Sequence, residues 1–486
     1  MRPRQLSSRD CNRFCTELKT GIVLSSFLLL SAGLLAQEGN ILTFHKSEKL
    51  NIQGYLQFGT NAVAETNLFW NLADVPELDY DSDTQWLENY VKPGVGFTIP
   101  MGRSRLYGKV SAVWSSTLGT DAFDEGDTGR ITLEESHLGY AFTIDEQSSI
   151  DLSAGGRELK LGTGMLIANG GVSGFERGSL KFGPRKAWEM AAIGHYKKKS
   201  FSARGFYLNP NELASNNTRT EIVGGDMNIT KSANRYAGIS YVNVINSGAP
   251  YPKAAPGGIG APQILPGARN GLNALSFYGK SNPINSLKDF YAAIDMAYQW
   301  NSDLDLNAWG GRVQLIYEMP EKSWRPSFML SYQIFSGDDP DTPGLERFDP
   351  LYYEGSPSAW STGSKSSMVF INSNVQSFGV TVRVMPSLKD IITFRYANIS
   401  VHRLLSPVQF GQAARVEFSD GVPTVVSGVL ERPLADDFFV EYNRVINKNI
   451  FFNAGLSISF AGKGITSIVD STNAWSGGFV NVVFNY

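Results

Sequence analysis

Eight basic residues recur on alternate positions of otherwise apolar stretches: Lys92, Arg105, Lys109, Arg157, Arg204, Arg312, Arg383 and Arg395. The acids at equivalent positions are fewer, namely Glu135, Glu318, Asp437 and Glu441. Side chains spaced in this way suggest a wall that attracts anions rather than an acid–base site. A planar guanidinium donates two parallel hydrogen bonds to a carboxylate, and rings of Arg and Lys in a low-dielectric passage focus their field on a passing anion. The plainer reading is a solvated wall whose bases pair with the acids. The elements that hold the side chains decide between the two.

Those elements read as strands. In Ile450–Phe460 the even positions are all apolar, while the odd ones after Phe451 are Asn, Gly and Ser, which is the period-2 signature of a strand with unlike faces. The final stretch repeats it, with Val480, Val482, Phe484 and Tyr486 on one face and Asn481 and Asn485 on the other. Upstream, Leu56 and Phe58 oppose Tyr55 and Gln57; Val91, Val95, Phe97 and Ile99 oppose Lys92, Gly94, Gly96 and Thr98. Leu106, Val110, Ala112 and Trp114 then oppose Arg105, Tyr107, Lys109 and Ser111. Similar pairs follow on either side of Asp145–Gln147, Lys197–Lys199, Pro320–Arg325 and Pro386–Asp390.

Two architectures share this pattern: a soluble sandwich with its oily faces inside, and a membrane barrel with them outside. Tight breaks such as Pro100–Gly102 alternate with long polar or Pro/Gly-rich stretches at 65–87, 119–129, 246–271, 336–373 and 405–433. Short turns at one end and long loops at the other favour the barrel. A chain of 486 residues with 49 Gly, 20 Tyr, 29 Phe and 9 Trp suits 16–18 strands, a size that leaves an aqueous channel. The expected fold is therefore an all-β transmembrane antiparallel barrel of about 18 strands, with short periplasmic turns and long extracellular loops.

The N-terminus supplies an address. Arg2, Arg4, Arg9, Arg13 and Lys19 precede an apolar run from Gly21 to Ala36, and polar Gln37–Asn40 follows, as in a secretory signal peptide. We expect a signal peptide at 1–36 and one barrel domain at 37–486. Both cysteines, Cys11 and Cys15, fall in the segment to be removed, which leaves no thiol or disulfide chemistry.

Other chemistries find little support. His45, His137, His195 and His402 lack ligand spacing, and Asp338, Asp339 and Asp341 lack the spacing of a calcium loop. His137 with Glu135 is the one close pair that an outer-membrane hydrolase could use, and no nucleophile motif accompanies it. An energy-coupled receptor needs a plug domain ahead of the barrel, yet strand signals begin at Leu50. No catalytic residue, metal, cofactor or nucleic-acid partner is expected. A net charge of -3 favours none of these.

Two short motifs go further. Gly156–Gly164 resembles the Gly-Arg-x-x-x-x-Gly-x-Gly segment of the alginate export family of outer-membrane porins, and Ser336-Gly337-Asp338 followed by Phe348-Asp349-Pro350-Leu351 is similar to that family's loop pair. The resemblance implies an 18-stranded barrel of the bacterial outer membrane passing an anionic polysaccharide. It places Arg157 and Glu158 near the constriction and Phe348–Leu351 in a structured loop over the pore. The expected pathway residues are thus Arg157, Glu158, Lys92, Arg105, Lys109, Arg204, Arg312, Arg383 and Arg395, with Glu135, Glu318 and Glu441 pairing some of them. Expected partners are outer-membrane lipid, an anionic saccharide solute and the barrel assembly machinery acting on the strand that ends at Tyr486. A general or small-nutrient diffusion porin is the alternative.

Overall fold

The computed structural model describes residues 42–68, 81–122, 126–172, 174–354, 360, 362, 370–408, 414–419, 422–467 and 473–486. The expected signal peptide and its cleavage near Ala36 lie outside these residues.

Strand β1 (Leu42–Lys46) leads into β2 (Asn51–Thr66), β3 (Thr84–Met101), β4 (Ser104–Gly119), β5 (Gly129–Asp145) and β6 (Ser148–Arg157). After a long segment come β7 (Trp188–Lys198), β8 (Phe201–Asn209), β9 (Glu221–Ser232) and β10 (Arg235–Asn246). A small hairpin, β11 (Tyr251–Lys253) with β12 (Gln263–Leu265), precedes β13 (Asn273–Ser281), β14 (Phe290–Asn301), β15 (Leu306–Glu318) and β16 (Ser327–Phe335). Then follow β17 (Val375–Ser387), β18 (Asp390–Val401) and a second hairpin, β19 (Ala414–Ser419) with β20 (Val422–Ser427). The last three are β21 (Pro433–Val445), β22 (Ile450–Ala461) and β23 (Trp475–Asn485).

Each large strand pairs antiparallel with its neighbours, and β23 returns to β2 from Gln57↔Asn485 to Thr66↔Ser476. Eighteen strands close the ring, and β1 adds a short flap on the edge of β2. Neither small hairpin is expected from the sequence, since both fall in stretches that read as long loops, although Ala414–Phe418 alternates strictly ahead of Asp420-Gly421, a pair suited to a hairpin turn.

Burial decides between the two architectures. On β22, Leu456 is 70% and Phe460 47% exposed, whereas Ser457 and Ser459 on the other face are 8% and 5% exposed. The inversion holds around the ring: Val110, Leu138, Leu152, Met227, Leu330 and Phe394 all face outward and are exposed. In water each such side chain costs about 1.5–3 kcal/mol relative to burial, so a soluble sandwich is excluded and a lipid surround is required. The alternation puts apolar residues on the bilayer and polar ones inside.

The interior is not uniformly polar, however. Toward the long loops, Phe206, Leu208, Ile222, Val242, Val244, Phe335, Val375 and Val401 face inward and are buried. They pack against loop residues, among them Leu161, Leu166, Ile167, Leu345, Phe348 and Trp360. The wall is oily on its inner face there because two loops fold into the bore. The wet lumen expected along the whole strand length is confined to the short-turn half.

Candidate permeation pathway

A β-bulge creates the strongest feature of the interior. Between β4 and β5 the register steps from Ser111↔Glu135 to Ala112↔Leu133, which leaves Glu134 as the extra residue. A bulge breaks the alternation, so Glu134 and Glu135 both turn inward and are buried, at 3% and 7% exposure. Strict alternation sends Glu134 to lipid, which is why the sequence did not mark it.

Glu134 fastens the loop between β6 and β7. Its carboxylate accepts the backbone N–H groups of Lys186 at 2.8 Å and Ala187 at 3.1 Å and pairs with Lys92 at 3.2 Å. Glu88 on β3 acts in the same way, accepting Lys181 N–H at 2.7 Å and Phe182 N–H at 3.0 Å. Between the two clamps, Arg185 donates to Thr132 Oγ1 at 2.6 Å, Ser115 Oγ at 2.8 Å and the Arg130 carbonyl at 2.9 Å. Lys181 lies 4.8 Å from the Phe479 ring centroid. Burial pushes its ammonium down to about 8, against the pull of Glu65, Glu88 and Glu441. Residues 181–187 thus form a strap tied to the barrel wall by charge-assisted hydrogen bonds.

The loop between β16 and β17 meets this strap's own loop. Ile167 and Tyr352 form a parallel bridge, with Ala168 N–H donating to Tyr352 O at 2.8 Å and Tyr352 N–H to Leu166 O at 2.9 Å. Phe348 is fully buried, 5.2 Å from Phe335 between ring centroids. Asp349 takes a bidentate pair from Arg269, at 2.7 and 2.9 Å, and accepts no solvent-facing role. Pro350 and Leu351 are buried beside them. The motif residues are packed between the loops and the wall.

The predicted bases divide into two sets. Lys92 contacts Glu134 and Glu158, Lys109 contacts Glu135 at 2.5 Å, and Arg204 contacts Asp226 at 2.7 Å. Arg312 is 8% exposed, 3.6 Å from Asp295 and stacked at 3.8 Å over the Trp360 ring, so it is roofed over rather than open to a solute. Among the described residues Arg105, Arg157, Arg383 and Arg395 form no ion pair. Arg105 lies over the Tyr107 ring at 5.7 Å, and Arg157 donates to Tyr107 Oη at 3.5 Å.

The predicted acids are similarly divided. Glu135 pairs with Lys109, and Glu441 accepts from Asn453 at 3.0 Å; Glu318 forms no ion pair among the described residues. Inward acids outside the predicted set, Glu65, Glu88, Glu134, Asp226 and Asp295, offset much of the basic charge.

Lys92, Lys109 and Glu158 come together around a cavity of about 580 Å³ beneath the strap, with Tyr55, Tyr90 and Lys186. Arg383 and Arg395 stand on β17 and β18, away from that cavity. An amide row, Asn481 to Asn453 at 3.3 Å and Asn453 to Asn443 at 2.6 Å, lines the wall between.

No family model matches the chain, and no curated protein matches it. Solved structures do. OccAB1 of Acinetobacter baumannii matches at a TM-score of 0.51 and 10% identity, over 89% of this chain and 96% of that one. OccAB2 of the same organism gives 0.50 and 8%, over 89% and 98%. A BenF-like porin from Pseudomonas fluorescens Pf-5 aligns at 0.48 and 9%, over 90% and 98%. Identities this low speak to fold. The chain is an outer-membrane β-barrel with the fold that the two Acinetobacter structures share. The porin fold expected from the sequence stands, whereas the alginate export family does not emerge among these matches.

Remaining candidates resolve into structural roles. His137 Nδ1 lies 3.3 Å from the Gly156 carbonyl and its ring stands edge-on to Tyr107. Asp338 accepts the N–H groups of Ala254 at 2.7 Å and Glu346 at 2.8 Å, and Asp339 pairs with Arg403 at 3.0 Å. Among the described residues no group of three or more His, Cys, Asp or Glu is arranged to hold a metal ion.

Proposed function

We propose that this barrel is a passive diffusion channel for small hydrophilic solutes, with a preference for anions. The supporting observation is the tied strap: residues 181–187, fixed by Glu88 and Glu134, narrow the bore beside loop 336–354. A bore narrowed by two packed loops suits small solutes better than a polymer that must thread its length. This favours the diffusion-porin reading over passage of an anionic polysaccharide.

The anion preference rests on Arg105, Arg157, Arg383 and Arg395, the bases without ion-pair partners among the described residues. Bases already neutralised by a carboxylate add little field, so selectivity is expected to be modest. Several weak contacts rather than one tight site let a solute leave as readily as it enters.

Single-channel recording in a planar bilayer tests the proposal. A small, steady conductance whose reversal potential in a KCl gradient shows moderate anion preference supports it. Absence of conductance overturns it, and concentration-dependent block by uronate oligosaccharides with poor passage of small anions restores the polysaccharide reading.

A further inference from the structure

The outer wall carries a groove of about 610 Å³ across β6 to β10, flanked by Ile150, Leu152 and Tyr196 on one side and Met227, Ile239 and Tyr241 on the other. Its floor is a registered row, Gly194↔Gly205↔Gly225. None of the three has positive φ. A Cβ added at Gly205 meets no atom within 4 Å, and at Gly194 only Leu152 at 3.5 Å. The protein's own packing therefore does not require glycine at these two positions, although glycine weakens a strand interior and marks close approach by something else. The approaching body comes from the membrane side.

Charge at one end says what it is. The turns β7–β8 and β9–β10 lie side by side, joined by Thr230 N–H donating to Ser200 O at 2.8 Å. They carry exposed Lys198, Lys199, Lys231 and Arg235. By strand alternation Lys198 shares the outward face of Gly194, while Lys231 is the extra residue of a bulge where β9 turns into β10, just past the outward Gly225, Met227 and Ile229. Two acids, Asp145 and Glu146, lie on the adjoining β5–β6 turn, which meets the cluster where Lys199 N–H donates to Gln147 O at 2.9 Å; the four bases outnumber them. From Lys198 to Gly194 is four residues, about 13 Å at ~3.3 Å per residue. For a strand tilted by about 40° this is roughly 10 Å of depth, which keeps the glycines within the roughly 15 Å of one leaflet's hydrocarbon.

The geometry points to a binding site for one anionic phospholipid, its phosphate among Lys198, Lys199, Lys231 and Arg235 and an acyl chain lying over Gly194, Gly205 and Gly225. The cations supply the recognition that the apolar floor lacks, since each basic group near a bilayer surface attracts anionic headgroups. The inference stands independently of which solute the channel passes.

Native mass spectrometry of the full chain in a zwitterionic detergent tests it, with phosphatidylglycerol and phosphatidylcholine of identical acyl chains as probes. One phosphatidylglycerol should stay bound per chain, with a roughly tenfold or greater preference over phosphatidylcholine. Gly205→Leu, which fills the groove, should lower that retention at least fivefold. Replacing the four basic residues by Gln should remove the preference while leaving the glycine floor untouched. A heat-modifiable gel shift confirms that each variant is folded. Equal retention of the two lipids overturns the inference, as does a Gly205→Leu protein that binds phosphatidylglycerol normally. A two-chain complex abolished by Gly205→Leu also overturns it, because the groove's occupant is then a second copy of the barrel.

Discussion

Glu88 and Glu134, on strands separated by β4, each accept two consecutive backbone N–H groups from opposite ends of one short strap. Each carboxylate is almost wholly buried, so its hydrogen bonds are not diluted by water. Removing an acceptor leaves two buried donors unsatisfied, at about 1–3 kcal/mol. Glu134→Ala is expected to free residues 181–187, raising single-channel conductance and open-channel noise. Glu134→Gln, which keeps a carbonyl acceptor, should fall between. Conductance and noise in Glu134→Ala identical to those of the unaltered protein remove the strap from the constriction.

Arg312 and the bases without ion-pair partners should behave as opposites. Arg312 sits between Asp295 and the Trp360 face, and breaking a buried pair by deleting one partner costs roughly 3–5 kcal/mol. Arg312→Ala should therefore lower thermal stability in detergent with little change in reversal potential. A large loss of anion preference with unchanged stability places Arg312 in the open path instead.

Arg105, Arg383 and Arg395 carry the reverse expectation. Replaced together by Ser, they should shift the reversal potential toward that of a non-selective pore with a smaller loss of thermal stability than Arg312→Ala gives, since Arg105 and Arg383 are exposed and such charges contribute little to folding. Unchanged anion-to-cation permeability would show that the charge selecting anions lies elsewhere.

His402 links the outer loops through a neutral imidazole. Its Nδ1 accepts the Gly337 N–H at 3.1 Å, and its ring stands edge-on to Trp309 at 5.6 Å. Burial first, then Arg403 and Arg432, push its pKa down to about 4, with Asp339 opposing. A depressed histidine is neutral in the folded loop and protonated in the unfolded one between about pH 6.5 and 4. Its contribution is present above that window and lost as pH falls through it, on the order of 1–3 kcal/mol after allowance for partial exposure. Protease cleavage after Arg403 should accelerate from pH 7 to pH 4.5, under a protease active across the range. His402→Phe should flatten that dependence; a variant with the parent's pH profile assigns it to other groups.

How much of this was legible in the sequence follows from what alternation encodes. Leu456, Ser457, Ile458 and Ser459 specify a strand and its two faces locally, because side chains on a strand point to opposite sides by construction. The same rule carried Lys92, Lys109, Arg204 and Arg395 onto the inner face. It failed at Glu134, where one extra residue in a bulge reverses the parity and no neighbouring residue signals it.

Local pattern thus determined the barrel, its oily exterior and its short and long connections. Only the tertiary structure decided that the long loops turn into the bore, that Phe206 and Phe335 face a packed core rather than water, and that Arg312 is roofed by Trp360. These are contacts between residues tens to hundreds of positions apart, set by how loop volume fills a closed ring. A period-2 reading compares a residue with its neighbours along the chain and holds no record of what will stand across the barrel from it.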